Sequence, residues 1–462
     1  MSTMRYQQAS FQSTGLDVRL LYGDSFTGTY AYGLIGQDSV NLAGSGVKDQ
    51  YFGAINSTNT SVLQVGSSGI FGLGFPINSA IWMELFEANY VTRNNWGTED
   101  HIQKRAYNRL NFPPISDLAR RDLSSLNQLK TRQSPTISVV EEILSSWDLY
   151  GPFITRLISS QKLYPMATIT LQRNTVDVGG NAGLLSIGEL PSGVKNDSLT
   201  WVPLRTYAPE QGGLAAPPDS PGEIYPIAWE IPLDDVYLDG EKIPRSTLAS
   251  SDISFSALVD TGNSLIRGPA DSIQFIQRAI GGGSRFSCST PHTLSFEIGG
   301  KMFPVDPRDF ISPKDNTRQC GMNVVATDTP HEGGGYLFSW SLGDPFLKSV
   351  LSSYYYGNLT HPSQDPPRLG FLSTVPSDAD DRYMDALRAA NEGKNRFPAF
   401  AEAPPTGTPP VFGTNSNGVP MAQPTDGSTS RNNGAPPGPI RRIGLPSWVG
   451  SVFVAAGTYL SG

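Results

Sequence analysis

The sequence predicts an all-β protein built from short strands, and three observations support that prediction. Short apolar stretches separated by glycine turns run through residues 16–56 and again through residues 166–375. The chain holds 48 glycines and 37 prolines, and only 16% of its residues are charged, a composition typical of loop-rich and sheet-rich proteins. Its 462 residues exceed one ordinary core, so two or three domains are expected.

The first part of the chain is predicted to be a strand-rich unit followed by helices. Short strands are expected at residues 16–22, 30–35, 38–42 and 50–55. Residues 68–76 then form an apolar strand that ends in tight turns. Residues 138–162 have apolar residues at helical spacing, and Pro152 is expected to divide them into two helices because proline breaks the helical hydrogen-bond ladder.

The segment 97–137 differs from its surroundings because it is basic and lacks a clean apolar period. We predict an exposed insertion there, partly helical at best. Its dibasic pairs, Lys104-Arg105 and Arg120-Arg121, fit either processing sites or charges on a solvated loop, and the sequence leaves both open. The basic residues of the segment are Lys104, Arg105, Arg109, Arg120, Arg121, Lys130 and Arg132.

The second part of the chain returns to short strands. They are expected at residues 167–171, 184–187, 201–204, 228–237 and 254–259, with a Gly/Pro-rich loop at 205–224 between them. Residues 376–446 are rich in Pro, Gly, Ser and Asn and have few large apolar residues, so a disordered linker is predicted. Residues 447–462 form a hydrophobic tail.

Charge and missing motifs narrow the function classes. A net charge of −8 and a pI of about 5.1 argue against nucleic acid as a partner. The four histidines show no metal-ligand spacing, so no metal site is predicted. Neither G-x-S-x-G nor G-x-G-x-x-G occurs, which removes the simple α/β-hydrolase and dinucleotide-binding interpretations. The two cysteines, Cys288 and Cys320, could close one loop or stay reduced.

One short motif, Val259-Asp260-Thr261-Gly262, points to a specific chemistry. It follows a short apolar strand, and no other Asp-Thr-Gly or Asp-Ser-Gly occurs in the sequence. A carboxylate on a sharp turn after a buried strand is rigid and partly desolvated, and Gly262 can direct its N–H at that carboxylate. Two such carboxylates facing each other share a proton: the ionised one activates water, and the protonated one donates to a scissile carbonyl.

The surroundings of this motif resemble the pepsin-like aspartic protease family. SALVDTGNSLIRGP at 256–269 resembles the second catalytic loop of that family. Upstream, LYGD at 21–24 resembles the flap, the hairpin that closes over substrate, and GIFGLGFP at 69–76 resembles the D-G-I-L-G-L segment, with Ser68 where aspartate is usual. Downstream, WSLGDPF at 340–346 and RLGF at 368–371 resemble the closing strands.

The resemblance implies an all-β, bilobal, pepsin-like acid protease fold with an incomplete first lobe. Residues 1–165 would form the N-terminal lobe with the flap, and residues 166–375 the C-terminal lobe with the catalytic motif. Asp260 would be catalytic, Cys288 and Cys320 would form a disulfide, and no cofactor would be needed. The expected protein is a monomer that acts on peptide or protein substrates. The implied substrate-binding residues are Tyr22, Gly23, Asp24, Thr261, Gly262, Asn263 and Ser264.

Two residues beside the motif are unusual for the family. Asn263 stands where a Thr or Ser hydroxyl normally donates to the outer oxygen of the aspartate, a role that an asparagine amide could keep. Arg267 lies near the expected cleft, where it could favour acidic substrate side chains or remain a solvated loop charge. The sequence leaves both questions open.

The order of the motifs predicts that half of the catalytic pair is missing from this sequence. In the family the first Asp-Thr/Ser-Gly precedes the flap, whereas here the flap-like Tyr22 stands near residue 1 and Asp260 follows far downstream. We therefore expect an N-terminally truncated protease of the fungal, yapsin-like cell-surface type, inactive as written, whose partner aspartate is encoded upstream. A one-motif protease that dimerises is disfavoured, because its flap would follow its own Asp-Thr-Gly. The alternative is a non-catalytic pseudoprotease that binds peptides or proteins.

Signals near the two ends of the chain and four sequons bear on localisation. The first residues have no signal-peptide h-region. Small residues at 433–435, a polar spacer at 436–446 and an uncharged apolar end at 448–460 match a GPI-anchor signal, with a weakly structured apolar C-terminus as the alternative. We expect a secreted or cell-surface glycoprotein, with glycosylation at Asn56, Asn59, Asn196 and Asn358.

Overall fold

The computed structural model describes residues 8–22, 29–42, 44–60, 62, 68–93, 139–171, 183–211, 213–283, 285–314, 316–327, 337–392 and 453–455. Several expectations fall outside these residues and stay predictions. They concern Gly23 and Asp24 of the flap, the basic insertion at 97–137, residues 393–446 of the linker, and most of the tail.

Strands make up most of the regular structure, as the sequence predicts. In chain order they are β1 Gln12–Tyr22, β2 Thr29–Leu42, β3 Ser45–Thr58, β4 Ile70–Gly72, β5 Met166–Leu171, β6 Gly183–Ile187, β7 Thr200–Pro203, β8 Glu230–Pro232, β9 Asp235–Leu238, β10 Glu241–Lys242, β11 Ser256–Val259, β12 Ile266–Gly268, β13 Phe286–Ser287, β14 Leu294–Ile298, β15 Lys301–Pro304, β16 Ile311–Lys314, β17 Asn316–Met322, β18 Val324–Ala326, β19 Trp340–Leu342, β20 Val350–Tyr355, β21 Arg368–Ser373 and β22 Phe453–Ala455.

The α-helices are fewer and mostly short. In chain order they are α1 Ala80–Arg93, α2 Val139–Tyr150, α3 Phe153–Gln161, α4 Ala270–Ala279, α5 Pro307–Phe310, α6 Asp344–Leu347 and α7 Ala379–Glu392. The predicted division of the helical stretch at Pro152 is confirmed, since α2 ends and α3 begins on either side of it.

The first lobe contains an antiparallel sheet of β1, β2 and β3 in that order. The two strands predicted at 30–35 and 38–42 are one continuous strand, β2, with a register irregularity against β3 between Asp38 and Val40. In β2, Ala31 and Ile35 are buried while Leu34 between them is exposed, the alternation expected of a sheet with one face on a core. This buried face packs with α1 into a cluster that includes Val18 and Leu85.

A five-stranded sheet in the second lobe carries the Asp-Thr-Gly motif. Its order is β18-β12-β19-β11-β8. β11 lies parallel to β19 and antiparallel to β8, so it is paired on both sides. All four residues of β11 are buried, which fits a central strand with both faces covered. The stretch predicted as one strand at 228–237 is two strands, β8 and β9, which belong to different sheets.

The remaining second-lobe strands form three sheets. Their orders are β6-β5-β20-β21-β7, β10-β9-β14-β15 and β13-β17-β16. One large apolar cluster continues from first-lobe residues such as Leu73 and Trp82 into second-lobe residues such as Trp340 and Phe371. β22, the described part of the hydrophobic tail, pairs in parallel with β4 of the first lobe. Among the described residues, no helix has both the length and the apolar character needed to cross a membrane.

The predicted linker at 376–446 is wrong at its start, because residues 379–392 form α7. The helix follows from apolar residues at positions 383, 386, 387 and 390, a one-sided helical spacing that the Pro/Gly-rich composition further on obscured. Tyr383 is fully buried, and its hydroxyl donates to the Cys288 carbonyl at 3.1 Å. Cys288 and Cys320 form the disulfide that the resemblance implies.

Candidate active site

Asp260 stands at the carboxyl end of buried strand β11. Its backbone N–H donates to the Leu342 carbonyl on β19 at 3.1 Å, which extends the parallel ladder to the motif itself. On the other side, the Val259 N–H donates to the Trp229 carbonyl at 2.9 Å, just before β8. Backbone hydrogen bonds on both sides therefore fix the backbone of Asp260, in addition to the contacts that its side chain makes.

The turn that follows has the geometry expected from the sequence. The Gly262 N–H donates to the Asp260 carboxylate at 2.8 Å, which confirms the predicted aim of that group. The Asn263 N–H donates back to the Asp260 carbonyl at 3.2 Å and closes the turn. Thr261 is buried, whereas Ser264 is exposed. The turn thus presents one carboxylate that is held by backbone groups.

The surroundings of Asp260 favour its protonated form. Burial raises the pKa of Asp260 to about 6, the Gly262 N–H opposes this rise, the Asp344 carboxyl adds to it, and Arg267 opposes it. Burial also raises the pKa of Asp344, against the attraction of Lys348. Two carboxyls with raised pKa values therefore lie within electrostatic range of each other at the end of β11 and the start of α6.

The Asn263 side chain is committed to groups other than the carboxylate. Its Nδ2 donates to the Ser341 Oγ at 3.0 Å, and its Oδ1 accepts from the Leu265 N–H and from the Arg267 Nε, both at 3.2 Å. The sequence left open whether the Asn263 amide donates to the aspartate. In the structure the amide instead joins the turn to β19 and β12. Arg267 belongs to strand β12, half-buried, and not to a solvated loop.

Gly343 lets two chain segments cross beside the motif. A Cβ at this position would lie 2.1 Å from the Asn263 carbonyl oxygen and 2.2 Å from that of Leu265, so only glycine fits. The next residue, Asp344, uses its N–H to donate to the Asn263 carbonyl at 2.8 Å. The turn after β11 and the β19–α6 connection are consequently one interlocked unit.

A buried carboxyl behind the motif was missed by sequence reasoning. Glu230 on β8 has no exposed surface, pairs with Leu258 in the ladder, and accepts from the Ser256 hydroxyl at 2.5 Å and from the Tyr207 hydroxyl. Burial raises the pKa of Glu230, against the nearby Arg205 and these two donors. A charged residue inside the apolar stretch 227–233 was the available signal.

Tyr22, the expected flap tyrosine, lies at the end of β1. It pairs with Thr29 across the hairpin, and its partly buried ring packs against the first-lobe cluster that includes Val18 and Leu20. An aromatic residue that merely packs a strand onto its lobe would make the same contacts, and a flap role stays a prediction because Gly23 and Asp24 are outside the described residues.

The four sequon asparagines differ in access. Asn56 and Asn59 are exposed on or beside β3, whereas Asn196 and Asn358 are partly buried. The Oδ1 of Asn196 accepts from the Trp201 indole at 2.9 Å, and that of Asn358 accepts from the Thr360 N–H at 3.1 Å. Glycosylation stays a prediction at all four.

A rigid carboxyl at the end of a buried strand, in a two-lobed β fold, defines the class of aspartic proteases. A family model described as eukaryotic aspartyl protease matches residues 4–108 and 177–361. These segments exceed half of the chain, so the protein belongs to the eukaryotic aspartyl protease family, and its fold is the all-β, bilobal pepsin-like fold.

Individual relatives are distant. Pepsin A of Sus scrofa is 25% identical over 360 residues, which cover 76% of this chain and 66% of that protein. Gastricsin of Rattus norvegicus is 30% identical over 189 residues, 39% of this chain and 41% of that protein. Cathepsin E of Mus musculus is 26% identical over 209 residues, 43% of this chain and 46% of that protein. The chain thus spans less than half of gastricsin and cathepsin E.

Proposed function

We propose that this protein is built for acid endopeptidase chemistry, the hydrolysis of peptide bonds in extended substrates by an activated water. Asp260 is the proposed catalytic residue. In its ionised form it would take a proton from water, and in its protonated form it would donate to the scissile carbonyl, so no covalent intermediate and no cofactor are needed.

The turn around Asp260 is the observation that supports this proposal. The carboxyl accepts from the Gly262 N–H, and the Asp260 backbone N–H donates to the Leu342 carbonyl. The pKa of Asp260, about 6, lies where both protonation states are accessible in mildly acid solution. An ordinary surface aspartate would need neither the two-sided strand pairing nor the partial burial of this side chain. Membership of the aspartyl protease family, whose matched segment 177–361 includes Asp260, also supports the proposal.

Catalysis by this mechanism needs a second carboxyl that faces the first across the cleft. The sequence has a single Asp-Thr-Gly and no Asp-Ser-Gly. We propose that the 462-residue chain by itself is inactive, and that Asp260 is the second aspartate of a dyad whose first member lies upstream in a longer product. Asp344 does not take that place in this proposal, since it belongs to the same lobe and to the same interlocked turn as Asp260.

The test is cleavage of an unstructured protein substrate at acid pH by the purified 462-residue chain, with Asp260→Asn as the matched control. We expect no difference between the two proteins. Cleavage that pepstatin inhibits and that Asp260→Asn abolishes would overturn the proposed inactivity while supporting the role of Asp260. Sequencing of the transcript upstream of Met1 tests whether a first catalytic motif is encoded there. An in-frame Asp-Thr/Ser-Gly would support the enzyme.

A second candidate function is peptide or protein binding without catalysis. The lone Asp-Thr-Gly favours it, because a cleft can hold an extended peptide with one aspartate or with none. A complete transcript without a first motif, together with measurable affinity for extended peptides, would favour this pseudoprotease over the enzyme.

We propose that the protein is secreted or held at the cell surface, as in yapsin-like fungal enzymes, and acts as a monomer. The Cys288–Cys320 disulfide supports an oxidising compartment. The tail sequence supports a GPI anchor. Phosphatidylinositol-specific phospholipase should release the protein from cells, and retention after treatment would count against the anchor.

A further inference from the structure

Strand β4 of the first lobe has its parallel partner in the C-terminal segment of the chain. The register sets Phe71 opposite Val454 and Gly72 opposite Ala455, and within the described residues these two strands form a sheet of their own. β4 is only partly buried, whereas the chain directly after it, from Leu73, lies in the core. A strand edge carries N–H and C=O groups that need partners, so β4 offers a place for one extended segment.

β4 resembles β19, the strand that lies beside the Asp-Thr-Gly strand in the second lobe. The sequences IFGLGF at 70–75 and SLGDPF at 341–346 share one pattern, in which an apolar residue precedes glycine and phenylalanine follows three positions after that glycine. Both phenylalanines, Phe75 and Phe346, are buried. Because β19 pairs in parallel with β11, the comparison makes the parallel partner of β4 the counterpart of β11.

The tail segment that supplies this partner resembles β11 and the turn after it. SVFVAAGTYL at 451–460 and SALVDTGNSL at 256–265 share serine, valine, glycine and leucine at the same four of ten positions. Both sequences also have two apolar residues before the shared valine. In this alignment Ala455 corresponds to Asp260. The tail therefore has the pattern of the Asp-Thr-Gly segment without its carboxyl.

The observed register agrees with both sequence comparisons. In the second lobe Val259 lies opposite Leu342, which precedes the glycine at the end of its strand. In the first lobe the matching valine, Val454, lies opposite Phe71, which also precedes a glycine. A shift of one residue in either direction would break this correspondence, and a nonspecific apolar contact has no reason to keep it.

We propose that the edge of β4 is an acceptor site for a parallel strand, and that the chain's own tail fills it in the place of a first catalytic strand. Ala455 then stands at the register position that corresponds to Asp260. Because alanine has no ionisable group, the tail completes the strand pairing without supplying a second carboxyl. Only one part rests on the proposed function, namely that a carboxyl at this position would complete the dyad with Asp260.

This strand site and the proposed anchor concern two forms of the protein. Attachment of a GPI anchor removes the hydrophobic tail, so the docked strand belongs to molecules that keep it. A first catalytic strand encoded upstream would compete with the tail, because one strand edge pairs with one strand at a time. The docked tail thus gives a physical reason for the proposed inactivity of the chain.

Amide hydrogen exchange of the full 462-residue chain tests the strand site. The variant is Phe453→Pro/Val454→Pro, which removes two neighbouring N–H groups of β22 and so breaks its pairing. We expect the paired amides of residues 70–72 to exchange about tenfold faster in this variant. Trp448→Pro/Val449→Pro, outside β22, is the matched control and should leave their exchange unchanged.

The amides of β20 in the second lobe report whether the proline variant has unfolded as a whole. They should exchange at the same rate in all three proteins. Unchanged exchange of β4 in the β22 variant, or the same acceleration of β4 in the control variant, overturns the strand site.

A second variant, Ala455→Asp/Ala456→Thr, tests the register because it creates Asp-Thr-Gly in the tail. We expect it to gain pepstatin-sensitive cleavage of an unstructured protein at acid pH, and Asp260→Asn should abolish that cleavage. Thr458→Asp is the matched control, which adds a carboxyl three residues further on and should gain no activity. Protected β4 amides without cleavage overturn the catalytic register and leave the strand site in place.

The two measurements separate this inference from the proposed function. Hydrogen exchange needs no substrate, so it can overturn the strand site while the unaltered chain and Asp260→Asn behave as the proposed function requires. Cleavage by the unaltered chain would overturn the proposed inactivity, whatever the exchange of β4 shows.

Discussion

The indole Nε1 of Trp229 donates a 2.8 Å hydrogen bond to the backbone carbonyl of Leu73 and so joins the second lobe to the first. The same carbonyl accepts from the Tyr356 hydroxyl at 2.8 Å, and the Phe75 ring packs against both aromatic donors. Because the Trp229 carbonyl also accepts from Val259, one residue connects the lobe junction to the residue before Asp260.

We expect the two donors to Leu73 to be strongly coupled. Trp229→Phe should lower the free energy of unfolding by about 2 kcal/mol through a lost bond and a small cavity, and Tyr356→Phe by about 1 kcal/mol. The double variant should lose more unfolding free energy than the two single variants together, because only in the double variant do both of these donors to the Leu73 carbonyl disappear. Urea denaturation measures all three, and strict additivity would contradict the shared acceptor.

Asp260 should make stability fall as pH rises through mild acid. Its pKa is about 6 in the folded protein and about 4 in an unfolded chain, so between these values the folded state binds more protons. The slope is therefore negative there, and the total loss is on the order of 3 kcal/mol by pH 7. Denaturation of wild type and Asp260→Asn across pH checks this, and identical pH profiles would refute it.

Gly343→Ala should be among the most damaging small substitutions in the chain. Its methyl group would meet the carbonyls of Asn263 and Leu265 near 2.1 and 2.2 Å, and backbone on both sides would have to move. We expect a loss of about 3 kcal/mol or more. Gly222→Ala is the matched control, since no atom lies within 4 Å of a Cβ there. Similar melting temperatures for the two variants would argue against the interlock.

Glu230→Gln tests the buried network behind β11. Both carboxyl oxygens of Glu230 accept hydrogen bonds, one from the Ser256 hydroxyl and one from the Tyr207 hydroxyl. In glutamine an NH₂ group, which cannot accept, replaces one of these oxygens. The variant should lose about 2 kcal/mol of stability. Glu241→Gln, at an exposed position, should change it by less than about 0.5 kcal/mol. A neutral result at Glu230 would mean that the hydroxyls re-orient without cost.

The sequence predicted those parts of the fold that local chemistry determines. The β class, the break at Pro152 and the aim of the Gly262 N–H each follow from a residue and its near neighbours. The roles of Glu230, Asp344 and Trp229 could not be predicted in the same way, because each depends on strands brought together from distant parts of the chain. Asn263 shows the limit most clearly: its chemistry allowed a bond to Asp260, and the proximity of Ser341 and Arg267 decided otherwise.

The α7 helix showed the opposite error, in which composition hid a local signal. Four apolar positions at helical spacing are enough to dock fourteen residues when a buried surface is available, even beside a long Pro/Gly-rich stretch. An average over many residues diluted that short pattern.

The position of Tyr383 has a practical consequence. Its hydroxyl lies 3.7 Å from the Cys320 Sγ, and Cys288 and Cys320 are 1% and 0% exposed. We therefore expect reducing reagents to reach this disulfide only when α7 detaches. The rate of thiol release would then report how often the helix leaves the lobe. A protease that trims the tail before residue 379 would uncover the bond, whereas one that cuts after residue 392 would leave it shielded.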